Sequence, residues 1–282
     1  MFKRNLSILI AAAGMALSLC ACAGGKTSDT QTTAQNTESK SMEETSKASS
    51  DTMNKKNVVV TTSFLQDMVE QLAGDTVNVE LIIPAGEDPH LYVAKPEDYT
   101  KLSSSDLTLY HGLHFECKMV EALEAKGEAV SRNFPKDRIG TMDEDGQVIT
   151  DPHFWFDIGL YKMAVEAAGE SLENLNPEYK DKYEENKTKY LEELTKLDEY
   201  VKENISSIPK ESRYLITPHD AFNYFSRAYD IEVKAPQGVS TESEVANQDI
   251  QETIDFIVEH KIKAIFAEST TDPARMEKLR EG

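Results

Sequence analysis

The sequence predicts an α/β protein made of two α/β lobes with parallel sheets, which are joined by one long helix. Three observations support this fold class. Short β-branched runs alternate with stretches of helical spacing up to residue 125. Residues 177–205 show helical periodicity alone, and the alternation of strands and helices resumes after Pro209. About 225 residues follow Asn57, which is enough for two lobes of ordinary size.

In the N-terminal lobe, predicted for residues 57–176, β-branched and apolar runs mark the strands and helical spacing marks the helices. Ser63 is a suitable N-cap for the first helix, Gly74 ends that helix, and Pro84 stops the second strand. The predicted elements are strands 58–62, 77–83 and 107–110 and helices 64–74 and 96–102.

The linking helix is predicted for residues 177–206. Tyr, Leu, Val and Ile residues recur three, four or seven positions apart among Lys and Glu, and neither Gly nor Pro interrupts them. At 1.5 Å per residue the helix is near 40 Å long. The apolar seam covers too few heptads for an independent coiled coil. The C-terminal lobe, residues 207–282, is predicted to contain strands 213–217, 231–234 and 264–267 and helices 221–229 and 245–260.

The first 21 residues are predicted to be a lipoprotein signal peptide. Lys3 and Arg4 precede an apolar stretch that is too short to span a bilayer, and Ala21-Cys22 resembles the end of a bacterial lipobox. Cys22 would then carry lipid and attach the protein to the outer face of the cell membrane. An ordinary secreted protein, cleaved nearby, is the alternative. Residues 22–56 are almost entirely polar, so we expect a flexible tether.

Composition limits the classes of partner. The formal charge is −20, with 50 acidic and 30 basic residues, so the surface would repel the phosphates of nucleic acid. Of the three cysteines, Cys20 would leave with the signal peptide and Cys22 would carry lipid. Cys117 then has no partner for a disulfide, and we expect it to be a small buried hydrophobic residue.

Three of the six histidines share one local setting. His90, His153 and His219 each follow a proline and lie in a loop that precedes a helical segment. In an open α/β sheet, ligands bind beyond the carboxyl ends of the strands, where such loops converge. Each loop also contains an acid near its histidine, and such an acid can orient a metal-binding imidazole. More than sixty positions separate successive histidines, so only the fold can bring them together.

Several segments, in order along the chain from about residue 58, resemble the metal-specific periplasmic binding proteins, which are the zinc and manganese receptors of ABC importers. The matching segments are G-E-D-P-H-L-Y at 86–92, Y-H-G-L-H-F-E at 110–116, D-P-H-F-W-F-D at 151–157, T-P-H-D-A-F-N-Y-F at 217–225, Q-G-V-S-T at 237–241 and A-E-S-T-T at 267–271.

The resemblance implies that the metal lies in the cleft between the lobes. His90 and His153 would bind it from the N-terminal lobe and His219 from the C-terminal lobe. The cargo would be zinc or manganese, the partner an ABC permease, and the protein a monomer without enzymatic activity. Three imidazoles suit zinc, and harder, oxygen-rich ligand sets suit manganese. The chain lacks the histidine-rich loop of many zinc receptors, which weakens the preference for zinc alone.

The resemblance also sets expectations for neighbouring residues. The family's usual fourth ligand, an aspartate, would lie beyond Gly282, so the C-terminal lobe is expected to be truncated. His111 and His114 are expected to be structural or to line the cleft. His260 is expected to be solvated, and Glu268 to support the site from outside the ligand set.

Two other functions are compatible with parts of the sequence. Three histidines with an open fourth position are also the ligand set of a mononuclear zinc enzyme, although the sequence contains no recognisable nucleophile motif. A surface adhesin of the same family would have the same tether. For the receptor, we expect acid to release the metal near the ordinary imidazole pKa of about 6.5, and the long helix to restrict lobe closure.

Overall fold

The structure is a computed structural model that describes residues 55–144, 146–271 and 273–282. The predicted signal peptide at 1–21, the predicted lipidation site Cys22 and nearly all of the predicted tether at 22–56 lie outside the described residues. Within the described ranges, no helix has both the length and the apolar character that a membrane span requires.

A four-stranded parallel sheet forms the centre of the N-terminal lobe. Its strands are β1 (Lys56–Val60), β2 (Val77–Leu81), β3 (Leu107–Tyr110) and β4 (Glu128–Ala129), in the order β2-β1-β3-β4. Val58 and Val60 point into one hydrophobic cluster and Val59 into another. Both faces of the sheet are therefore covered, as a parallel sheet with crossover helices requires.

Helices α1 (Ser63–Ala73) and α4 (Ile158–Leu175) cover one face of this sheet, and α2 (Pro96–Ser104) and α3 (Val120–Glu124) cover the other. The N-cap of α1 is Thr62, whose hydroxyl accepts a hydrogen bond from Leu65 N at 3.4 Å. The prediction of Ser63 as the N-cap was therefore wrong by one residue. Gly74 ends α1 with a φ of +58°, as predicted.

Several elements of this lobe had no predicted bounds, among them β4, α3 and the elements on either side of His153. A hairpin of β5 (Thr141–Glu144) and β6 (Gln147–Thr150) precedes the loop of His153, and α4 follows that loop. Asp157 caps α4 by accepting a hydrogen bond from Leu160 N, and Arg138 Nη2 contacts the same carboxylate at 3.1 Å. Hairpin and cap together hold the His153 loop between two ordered elements.

The linking helix, α5, spans Lys180–Ser207 and contains 28 residues. At 1.5 Å per residue it is about 42 Å long, close to the predicted length. A 3₁₀ turn at Pro177–Tyr179 precedes it, so the helix begins three residues later than predicted. Tyr183 and Leu194 are buried against α1 and α4, and the Tyr183 hydroxyl lies 2.6 Å from Thr76 Oγ1. These contacts attach α5 to the N-terminal lobe along its length.

The C-terminal lobe contains the parallel pair β7 (Tyr214–Ile216) and β8 (Glu232–Lys234), with helices α6 (Asn223–Tyr229), α7 (Asn247–Glu259) and α8 (Pro273–Glu281). The predicted strand at 264–267 is not formed. Phe266 N donates one hydrogen bond to Ile216 O at 2.9 Å, but Phe266 remains 54% exposed. This hydrogen bond places the segment beside β7, but one hydrogen bond is not enough to make it a strand of the sheet.

Two α/β lobes with parallel strands and one long connecting helix confirm the predicted fold class. The lobe boundaries proposed for residues 57–176, 177–206 and 207–282 stay predictions.

Candidate metal centre

Each of the three Pro-His loops follows a strand. His90 lies between β2 and α2, His153 between β6 and α4, and His219 between β7 and α6. The loops of His90 and His153 belong to the N-terminal lobe and the loop of His219 to the C-terminal lobe. This is the placement that the convergence of loops in open α/β sheets predicts.

The fold brings the three imidazoles together. His90 Nε2 lies 3.2 Å from His153 Nε2, and the ring centroid of His219 is 5.9 Å from that of His90 and 5.3 Å from that of His153. One ring nitrogen from each residue lies within 4.8 Å of the other two. All three residues are buried, with 8% exposure at most. A small cation fits between three such nitrogens.

The Nδ1 atom of each imidazole has a different neighbour. His153 Nδ1 lies 2.8 Å from Asp151 Oδ1, a buried contact, and the same oxygen accepts a hydrogen bond from His153 N at 3.0 Å. His219 Nδ1 lies 2.8 Å from Glu268 Oε2, but the angle does not suit a hydrogen bond. Among the described residues, the hydrogen-bond partner of His90 Nδ1 is the thiol of Cys117, at 3.9 Å. His153 is therefore the most firmly oriented of the three.

Burial keeps two of the imidazoles neutral. Burial, together with smaller effects of the neighbouring His153 and His219, lowers the pKa of His90 to about 3. Burial also lowers the pKa of His153, although Asp151 opposes that shift. Both rings are therefore unprotonated at neutral pH, so each has a lone pair available for a metal ion.

Aromatic side chains surround the histidines and line a cavity of about 390 Å³. Phe115 packs edge-on against His90 at 5.1 Å between ring centroids, and Trp155 packs against His153 at 5.3 Å. Low-polarity walls of this kind strengthen electrostatic interactions inside the site. They also restrict the rotamers of the imidazoles.

The remaining histidines lie outside this group. His111 is buried, and its Nε2 lies 2.7 Å from Thr62 Oγ1, which is a structural contact at the base of the site. His114 is exposed. His260 is not simply solvated, so that prediction was wrong: its Nδ1 lies 2.9 Å from the Tyr214 hydroxyl, and its ring packs against Phe256.

Cys117 differs from its prediction as a buried hydrophobic residue. It is only partly buried, and its thiol lies against His90 rather than in an apolar core. Burial and nearby acids raise the pKa of this thiol, which favours the protonated form.

Several residues near the site had no assigned role in the sequence analysis. Glu116 is buried, and Thr241 of the C-terminal lobe hydrogen-bonds to Asp88 of the N-terminal lobe. Thr241 belongs to the Q-G-V-S-T segment, for which the sequence indicates only the family resemblance. Its partner is 153 positions away, a pairing that sequence spacing cannot indicate.

Comparisons with known proteins agree with this geometry. Residues 58–282 match the family described as "Zinc-uptake complex component A periplasmic". The zinc-binding protein TroA of Treponema pallidum is 41% identical over 229 residues, which cover 79% of this chain and 73% of TroA. The manganese-binding lipoprotein MntA of Bacillus subtilis is 39% identical over 230 residues, 80% of this chain and 74% of MntA.

A solved structure of a TroA protein, from work on its metal-binding specificity, is 61% identical to this chain. The two superpose with a TM-score of 0.80 over 81% of this chain and 82% of the other. Sequence and structural similarity thus extend over the same lobes and the same linking helix. The chain belongs to the family of periplasmic zinc-uptake components, whose members are solute-binding proteins of metal importers and not enzymes.

Proposed function

We propose that this protein captures zinc through His90, His153 and His219 and delivers it to the permease of an ABC importer. The observation that supports this proposal most strongly is the convergence of three buried ring nitrogens within 4.8 Å, two of them on imidazoles that are neutral at pH 7. Zinc is the substrate of this process, and the protein holds it only until hand-over.

The donor set favours zinc over manganese. Neutral imidazoles bind zinc at about 2.0–2.1 Å, and manganese prefers oxygen ligands. The nearest acids, Asp151 and Glu268, contact the Nδ1 atoms of His153 and His219. In that position they orient the rings and make them more basic, which strengthens binding without adding a ligand. Manganese remains the second cargo that we consider.

The low pKa of His90 bears on the expected release of the metal by acid. Protonation near pH 6.5 was expected to release the metal, but the pKa of His90 is about 3 in the folded protein. Mild acid therefore does not protonate this imidazole, even when the site holds no metal. Loss of the His90 ligand during import would then depend on movement of the lobes or on the permease, and not on protonation of this ring.

Three further parts of the proposal concern the setting of the protein. Cys22 carries the lipid, residues 22–56 tether the lobes to the outer face of the membrane, and the protein acts as a monomer that docks on the permease. A tethered receptor remains close to its transporter, which raises the effective concentration of loaded protein at the permease.

The test combines binding with transport. Titration of the protein with zinc and with manganese against a competing chelator should give one tightly bound zinc per chain and weaker manganese. Growth of a deletion strain under zinc limitation should be restored by the wild-type gene. Absence of stoichiometric metal binding would contradict the ligand assignment, and normal growth of the deletion strain would contradict the import role.

Asp151→Asn is expected to lower zinc affinity by about 10- to 100-fold, the range found for partners of metal-binding histidines. The neutral amide cannot supply the negative charge that stabilises the His153 ring on the metal. Glu268→Gln should have a smaller effect, because Glu268 is 21% exposed and its contact with His219 has a poor angle. Chelator competition measures both affinities. A larger loss in Glu268→Gln would contradict this ranking.

A further inference from the structure

A series of hydrogen bonds crosses the cleft from the His219 loop to the His90 loop. Gln237 pairs with His219 through an isolated parallel β-bridge, and its Nε2 donates to Thr241 O at 2.8 Å. Thr241 Oγ1 then donates to Asp88 Oδ2 at 2.6 Å. The other oxygen of Asp88 accepts a hydrogen bond from His90 N at 2.9 Å. We call Gln237, Thr241 and Asp88 the lobe clasp.

The central hydrogen bond of the clasp is short, partly buried and made to a carboxylate. Hydrogen bonds to charged groups are about twice as strong as neutral ones. A second contact joins the residue after Thr241 to the N-terminal lobe: Lys118 Nζ lies 3.3 Å from Glu242 Oε1, and the two side chains are 44% and 56% exposed. An exposed ion pair of this kind contributes little. Of these two contacts between the lobes, the Thr241–Asp88 hydrogen bond is the stronger candidate for setting lobe position.

The position of the clasp gives it a specific consequence. Asp88 and Thr241 both line the cavity that contains the three histidines. Separation of the lobes, which would carry His219 away from His90, must stretch or break the bond between Thr241 and Asp88. The same carboxylate orients the backbone at His90, so loss of Thr241 also loosens a ligand loop. Gln237 is buried and holds the other end of the clasp beside His219.

We propose that Thr241 is a positioning residue that controls metal retention by holding the lobes closed through Asp88. This inference rests on the proposed function, since it concerns release from the same three histidines. The clasp keeps His90 and His219 at ligand distance from one metal ion, and the lobes open for hand-over when this bond breaks.

The test compares Thr241→Val, which removes the hydroxyl at nearly constant volume, with Thr241→Ser, which retains it. In stopped-flow release of zinc to excess chelator, Thr241→Val should release zinc at least about tenfold faster than wild type, a factor in keeping with one lost hydrogen bond to a charged group. Thr241→Ser and Lys118→Ala should stay within about twofold. Asp88→Ala should accelerate release, and adding Thr241→Val to it should cause little further change.

A second readout does not need metal. In the metal-free protein, hydrogen exchange of residues 84–92 and 237–244 should be faster in Thr241→Val than in wild type, and unchanged in Thr241→Ser. Unchanged zinc release together with unchanged exchange in Thr241→Val would overturn the clasp and leave the proposed function intact. If wild-type protein bound no metal, the proposed function would fail, and hydrogen exchange alone would decide whether the clasp holds the loops.

Discussion

His90→Ala is expected to lower zinc affinity by at least about 100-fold. Apparent binding free energies for structural zinc are about 10–16 kcal/mol, which is about 3 kcal/mol for each of four ligands. Of the three histidines, His90 is the one whose replacement by alanine should disturb the neighbouring residues least. In the part of the chain that the structure describes, its Nδ1 contacts the Cys117 thiol at 3.9 Å and no carboxylate, so alanine leaves no buried carboxylate there without its partner. His153→Ala, in contrast, would remove one partner of the buried Asp151.

The matched control is His114→Ala, which removes an exposed imidazole from a neighbouring loop of the same lobe. Its zinc affinity should equal that of wild type, as measured by chelator competition at one pH. Thermal unfolding of the metal-free proteins checks that His90→Ala remains folded. Equal affinities for wild type and a folded His90→Ala would show that the metal is held elsewhere.

The convergence of the three histidines could be predicted from a local signal together with the family resemblance. A proline, a histidine and an adjacent acid recur in loops that follow strands, and the fold needs only to bring strand ends together. The partners of the three Nδ1 atoms could not be predicted as well as the histidines themselves. Asp151 contacts the ring of His153 from two positions away, whereas Asp88 accepts from the backbone of His90 and not from its ring. Loop geometry decides which carboxylate faces Nδ1.

Helix α4 shows why part of the fold escaped prediction. Glycine usually weakens a helix interior, and Gly159 and Gly169 both lie within Ile158–Leu175. At Gly169 the reason is tertiary, because a Cβ there would lie 2.9 Å from Lys187 Cδ of the linking helix. Glycine at this position lets the Lys187 side chain lie directly over α4, and α4 forms despite its two glycines because its buried apolar face packs into the core. Residues 264–267 show the opposite error. Their apolar run predicts a strand, but the segment does not form the series of hydrogen bonds that a strand requires.

Glu116→Gln is expected to change the pH dependence of stability in the metal-free protein. Glu116 Oε1 accepts hydrogen bonds from Thr61 Oγ1 and His111 N, both at 2.7 Å, and Oε2 has no hydrogen-bond partner among the described residues. Burial raises the pKa of this carboxyl from 4.5 to about 7. Glutamine retains the accepting oxygen and carries no charge at any pH.

The direction of the change in stability with pH follows from the protons that the folded and the unfolded states bind. Between pH 4.5 and 7 the folded wild type holds a proton on Glu116 that the unfolded chain has lost, so this residue's contribution to stability decreases as pH rises through that range. The free energy of unfolding of Glu116→Gln should therefore rise relative to wild type by about 3 kcal/mol between pH 4 and pH 8. The pKa of His111 is lowered to about 3, which gives the opposite slope between pH 3 and 6.5. His111 is present in both proteins, so its contribution largely cancels in the difference.

Denaturant unfolding at several pH values, with chelator present, measures this difference. Glu124→Gln is the control, since Glu124 is exposed in the same lobe, and its difference from wild type should not vary with pH. A flat difference for Glu116→Gln would mean that the folded protein stabilises the Glu116 carboxylate as well as water does. The expected slope would instead identify a proton-binding carboxyl at Glu116, next in sequence to Phe115, which packs edge-on against His90. Protonation of Glu116 would then limit the free-energy cost of burying this carboxyl up to about neutral pH.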